Sequence, residues 1–173
     1  MQNETEIRNK VAESGLMEIN LEDYYQKGER IVFDLKDLLY EGLILREKDF
    51  REFVKNHDWT LYKDKLVAVC CSADAIVPTW AFMLVAVNLQ PYAKGFVFGD
   101  LATLETVLFT EALTSLEPEK YRDERVIIKG CSKYPVPPSA YVELTRLLRP
   151  AVKSIMYGEA CSSVPLYKKK FEV

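Results

Sequence analysis

A single histidine, His57, occurs in 173 residues, and that scarcity excludes His-rich metal sites. The familiar chemical signatures are missing as well. There is no GxGxxG, no GxxxxGK followed by Ser or Thr, no HExxH, no GxSxG and no CxxC. Dinucleotide binding, P-loop phosphate binding, zincin chemistry and nucleophile-elbow hydrolysis therefore have no motif to rest on. The opening MQNETEIRNK has no apolar core of the signal-peptide kind, and the apolar run Ala75–Leu89 is too short to span a bilayer. These absences lead us to expect a cytoplasmic chain with no membrane partner. Net charge is −3, so there is no surplus of cations to neutralise a phosphate backbone. Ten tyrosines are present without the aromatic and basic spacing of an RNA reader, and no nucleic-acid partner is expected. Neither an internal repeat nor a low-complexity segment is evident.

What is present suits one globular core. Hydrophobic residues make up 49% of the chain and charged residues 28%, the usual balance for a folded domain. Residues 1–65 hold 15 Asp and Glu against 11 Lys and Arg, whereas residues 66–173 hold 11 against 12. The first third thus reads as acidic cover, and the rest as packed sheet and helices. Residues 1–15 are expected as a tail or short helix, and residues 16–173 as a single α/β domain.

Leu66–Cys70 is a buried strand that runs through a turn into the most apolar helix of the chain, the opening of a βαβ unit. Alternation predicts an edge strand at Leu16–Leu21 and a second strand at Arg30–Leu35. Phe50, Phe53, Val54 and His57 mark one face of a helix over Glu47–Asp58. Further strands follow at Gly95–Phe98, Arg125–Lys129 and Ser163–Lys168, with a helix over Leu101–Leu116 capped by Asp100. From Ser139 the apolar spacing runs straight through Pro150, which predicts one kinked helix stopped at Gly158. The resulting fold class is α/β: a three-layer arrangement with a mainly parallel sheet of about four to six strands and helices on both faces.

Candidate chemistry centres on four cysteines, expected as reduced thiols in a chain without an export signal. Cys70 and Cys71 end the central strand, Cys131 follows the third strand, and Cys161 lies in GEACSSVP. Parallel strands share one carboxyl edge, so Cys71 and Cys131 can approach there beside Asp74. Thiolates with a carboxylate suit Zn²⁺ or iron, and helix N-termini would also activate a thiol as a nucleophile. The metal-ligand set is therefore Cys71, Cys131 and Cys161, with Asp74 or Glu159 in support. Against it stands plain packing, because cysteine is often a small buried hydrophobe and Asp74 can simply cap a helix. A long helix from Ser139 would carry Cys161 to the opposite edge. It would then meet Cys131 only through a turn at Pro150 or across a homo-oligomer. His57 reads as a packed ring at a helix end.

The blocks FREFVKNHDW, DAIVPTWAFMLV, KGCSKYPVP and SIMYGEACSSVPLYKK resemble a bacterial family of uncharacterised proteins, domain of unknown function 2480, from about Arg30 to the end. The resemblance implies no activity. It implies an association with iron–sulfur assembly proteins as partners, and it singles out Cys131 and Cys161 in their KGCS and GEACS settings. Three functions are consistent with these residues: a metal-binding or iron- and sulfur-handling accessory, a thiol enzyme using Cys131 or Cys71, or a non-catalytic interaction module.

Overall fold

The run LVAVC at Leu66–Cys70 is apolar throughout, the composition of a strand covered on both faces. A computed structural model of the chain describes residues 15–130, 133–159 and 161–170. In chain order its strands and α-helices are β1 (Leu16–Asn20), β2 (Arg30–Asp34), α1 (Glu47–Asn56), β3 (Leu66–Cys70), α2 (Thr79–Leu89), β4 (Gly95–Phe98) and α3 (Leu101–Leu113). They continue with β5 (Arg125–Lys129), α4 (Pro138–Leu148), β6 (Ser154–Glu159) and β7 (Ser162–Lys168). The class is α/β with mainly parallel strands, as expected, and the strands divide between two sheets of order β2-β3-β4 and β1-β5-β6-β7. The chain forms two compact units: a middle unit, Gln26–Leu108, and a split unit made of the chain up to Tyr25 and from Phe109 onward. Among the described residues no helix is long and apolar enough to cross a membrane.

In the middle unit β3 lies between β2 and β4, parallel to both, with Leu66 opposite Arg30 and Gly95. Val67 and Val69 join Phe33, Phe50, Val54, Trp59 and the α2 residues Ala81, Val85 and Leu89 in one cluster. Leu66 and Ala68, on the other face, meet Leu104 and Leu108 of α3. Each fully buried aliphatic side chain of this kind contributes about 1.5–3 kcal/mol, so β3 is the strand on which the unit is assembled. The apolar run predicts a helix from Ala75, yet α2 begins at Thr79. Pro78 occupies the N-cap with an extended backbone, the residue before a proline is pushed away from helical angles, and Ile76 instead bridges Ile44. Only one stripe of α2 is consumed by the core. Met83 and Val87 remain 63% and 68% exposed.

In the split unit β5 runs parallel to β1 and β6, and β7 returns antiparallel beside β6. Ile19, Leu113, Val126, Ile128, Leu144, Leu148 and Ile155 form its core. The single kinked helix expected through Pro150 is not found: α4 stops at Leu148 and β6 starts at Ser154. Proline has no N–H to continue the ladder, and the Leu148 carbonyl accepts from the Ala151 and Val152 amides in a closed turn. Ala151, Val152 and Ile155 are all buried, so turn and strand enter one core and the apolar spacing persists after the helix has ended. The N-terminal third likewise does more than cover, since it supplies β1 and β2.

The two units are built on one plan, which corrects the expectation that no repeat exists. Residues 62–100 align with 121–159 without a gap, matching Tyr62 with Tyr121, Asp64 with Asp123, Pro78 with Pro137, Leu89 with Leu148, Pro91 with Pro150 and Gly99 with Gly158. The backbone follows suit. Asp64 and Asp123 have φ of 60° and 57°, and their amides donate to the Tyr92 and Ala151 carbonyls at 3.1 and 2.9 Å. Lys94 donates to Lys65 O and Lys153 to Glu124 O, both at 2.8 Å. The matching extends to the strand that opens each unit. Leu16–Asn20 meets Arg125–Lys129 in the register in which Arg30–Asp34 meets Leu66–Cys70. Asn20 and Asp34 each then cap a 3-10 turn through an amide two residues on, both at 3.0 Å. Gly99, just after β4, and Gly158, the penultimate residue of β6, share positive φ of 137° and 114°. A Cβ there would lie 2.7 Å from Thr103 or from the Ser162 carbonyl. The matched positions are mostly turns and caps, while the apolar residues between them have drifted, which hides the repeat from periodicity.

Candidate functional site

Three parallel strands in register bring their carboxyl ends to one edge. In the middle unit that edge carries Asp34 from β2, Cys70 from β3 and Asp100 after β4. Asp34 Oδ1 accepts from the Ser72 and Lys36 amides, both at 3.0 Å, and Oδ2 accepts from Ser72 Oγ at 2.6 Å. Burial raises its carboxyl pKa, but these hydrogen bonds outweigh burial and hold it below the usual range. Asp100 Oδ1 accepts from the Thr103 amide and hydroxyl, both at 2.8 Å, the expected cap on α3. Cys70 ends between these carboxylates. Burial first, then Asp34, Cys71 and Asp100, push its thiol pKa up.

Neighbours on a strand point to opposite faces, and the two adjacent cysteines separate accordingly. Cys71 packs against the apolar cluster of α1 and α2, with Sγ 3.8 Å from the Ala73 carbonyl. Asp74 is exposed in the loop before α2 and is not that helix's cap, because α2 begins five residues later.

In the split unit the corresponding edge carries Asn20, Lys129 and Glu159. Lys129 Nζ lies 2.8 Å from Glu18 and 4.0 Å from Glu159. Glu22 accepts from the Lys133 and Tyr134 amides, and Tyr134 stacks on Tyr25 with centroids 4.2 Å apart. Cys161, exposed, sits in the turn between β6 and β7. Because β6 is a strand parallel to β5, Cys161 follows the same edge as the end of β5. The expectation that a long helix carries Cys161 to the opposite edge is thereby corrected. Cys131 itself lies outside the described residues.

Of the five predicted ligands, Cys71 and Asp74 thus belong to the middle unit, and Glu159 and Cys161 to the split unit. Within each unit, among the described residues, no three His, Cys, Asp or Glu side chains are grouped to hold a metal ion. Sequence reasoning missed Asp34. The signal for it is the pair INLED and FDLKD, an Asn or Asp before Leu at the end of a strand. His57 is packed as expected, but its Nε2 meets Tyr62 Oη at 3.1 Å rather than a helix carbonyl. Its ring lies among Phe33, Phe53 and Trp59. An apolar groove of about 600 Å³ opens between α2 and β4, lined by Val69, Phe82, Met83, Ala86, Phe96 and Phe98 among others.

No curated protein and no solved structure matches the chain. One family model does, over residues 5–169. Matched over nearly its whole length, the chain belongs to the family described as protein of unknown function (DUF2480).

Proposed function

We propose that this chain is an accessory protein that handles a soft or borderline metal ion, zinc or iron, through thiols at its strand ends, and that it serves iron–sulfur cluster assembly. One observation carries the reading: the Cys70 thiol stands between Asp34 and Asp100 at the end of β3. This is an electron-rich edge that keeps the thiol protonated. A bound cation would reverse this, drawing off the proton and offsetting the carboxylates. The donor set, thiols with carboxylates, matches zinc or ferrous iron better than magnesium or calcium. Binding gathers donors rather than filling a ready cage. A raised thiol pKa supports a metal-dependent thiolate over a free nucleophile at Cys70.

Metal analysis of full-length protein purified with and without oxygen, followed by Zn²⁺ and Fe²⁺ titration, tests this. Near-stoichiometric uptake that falls at least tenfold in Cys70→Ser, Cys131→Ser or Cys161→Ser supports the reading. Metal-free protein that takes up neither ion would remove it.

A further inference from the structure

The repeat makes β4 the counterpart of β6, and the two differ in one respect. Beside β6 lies β7, antiparallel, with Tyr167 opposite Ile155 and Val164 opposite Tyr157. Tyr167 packs on the core of the split unit, and Ile155 is 0% exposed. Beside β4, among the described residues, only β3 is paired. Phe96 and Phe98, the counterparts of Ile155 and Tyr157, therefore border the open groove, and Phe98 is 69% exposed. Its ring rests edge-on against Phe82, centroids 4.9 Å apart.

The other outer strands carry the protections that discourage pairing. Arg30 and Asp34 bracket β2, Glu18 lies on β1, and Pro165 and Lys168 lie on β7. The four residues of β4, GFVF, carry neither a charge nor a proline. Their hydrogen-bonding groups are directed accordingly. Gly95 and Gly99 donate inward to Lys65 and Val69, so by alternation the Phe96 and Phe98 amides point away from β3.

We infer that β4 pairs antiparallel with β4 of a second copy of this chain, joining two middle-unit sheets across a two-fold axis through Val97. In that register Phe98 of the second copy lies opposite Phe96, as Tyr167 lies opposite Ile155, and each pair exchanges the outward N–H and C=O groups. The axis is perpendicular to the sheet, so both α2 helices lie on one side and the groove-lining Phe82 and Met83 of each are turned toward the other copy. A single patch meets itself, the requirement of an isologous dimer. Residues 1–14, MQNETEIRNKVAES, do not offer the apolar alternation that this groove would need. The inference is independent of the metal reading.

Sedimentation and light scattering on the full chain test it, with circular dichroism as a check on folding. The wild type is expected to be a dimer at micromolar concentration. Phe98→Lys, at an exposed position, should be a folded monomer, with its dissociation constant raised at least a hundredfold. Leu166→Lys on β7, also exposed, should remain dimeric. Amide exchange provides a readout that needs no variant: the Phe96 and Phe98 amides should slow at least tenfold as protein concentration rises through the dimer range. A wild type that stays monomeric at hundreds of micromolar overturns the inference. So does a dimer that survives Phe98→Lys, or one that leaves the Phe96 and Phe98 amides fast.

Discussion

Asp34 and Ser72, 38 positions apart, are joined twice, Ser72 N to Asp34 Oδ1 at 3.0 Å and Ser72 Oγ to Oδ2 at 2.6 Å. One carboxylate thereby ties the end of β2 to the loop that follows β3 while capping its own 3-10 turn.

Asp34→Ala should cost about 1–3 kcal/mol, the sum of a lost cap and charge-assisted bonds, read as a lower urea midpoint at neutral pH. Because its folded carboxyl titrates below its ordinary value of about 3.9, the stabilisation is complete above that value. It is lost as pH falls through the lower, folded value. The difference between wild type and Asp34→Ala should therefore shrink on acidification below about pH 4. A constant gap across that range would refute the assignment.

His57 is the only histidine, so its ring gives one resolved titration by NMR. Burial lowers its pKa and Asp58 opposes that only partly. The folded ring should therefore titrate below about 6.5. The unfolded chain then takes up the proton first as pH falls, and stability drops from about pH 7 downward until the folded ring also protonates. An inflection at or above 6.5 would contradict the aromatic packing of Phe33, Phe53, Trp59 and Tyr62.

The thiols should divide by environment. Cys70 is half-buried between carboxylates with a raised pKa, whereas Cys161 is exposed in a turn. Near neutral pH, iodoacetamide should modify Cys161 at least tenfold faster than Cys70, followed by mass spectrometry of peptides. Cys70 reacting first would mean an activated nucleophile and would favour a thiol enzyme.

Short apolar runs bounded by charge or glycine were legible without the fold. Leu66–Cys70, Gly95–Phe98 and Arg125–Lys129 are strands at the residues expected, because each has enough apolar surface to need cover on its own. The end of α4 was not legible. Beyond Pro150 the same spacing of Val152 and Ile155 serves a turn and a strand that feed one core, and periodicity reports burial rather than backbone. The candidate site divides in the same way. Cysteines at strand ends can be read from position, but the partner that shapes Cys70, Asp34, comes from a strand far earlier in the chain.

By itself, then, the sequence determined the α/β class, the parallel strands with their helices, and the location of thiols at carboxyl ends, all consequences of local composition and of where apolar runs stop. Only the tertiary structure decided that β1 joins β5 while β2 joins β3, that two units repeat one plan, and that β6 has an outer neighbour where β4, among the described residues, has none. Those choices depend on strand pairings far apart along the chain. Their energy comes from hydrogen bonds and buried faces that exist only after the pairing is made.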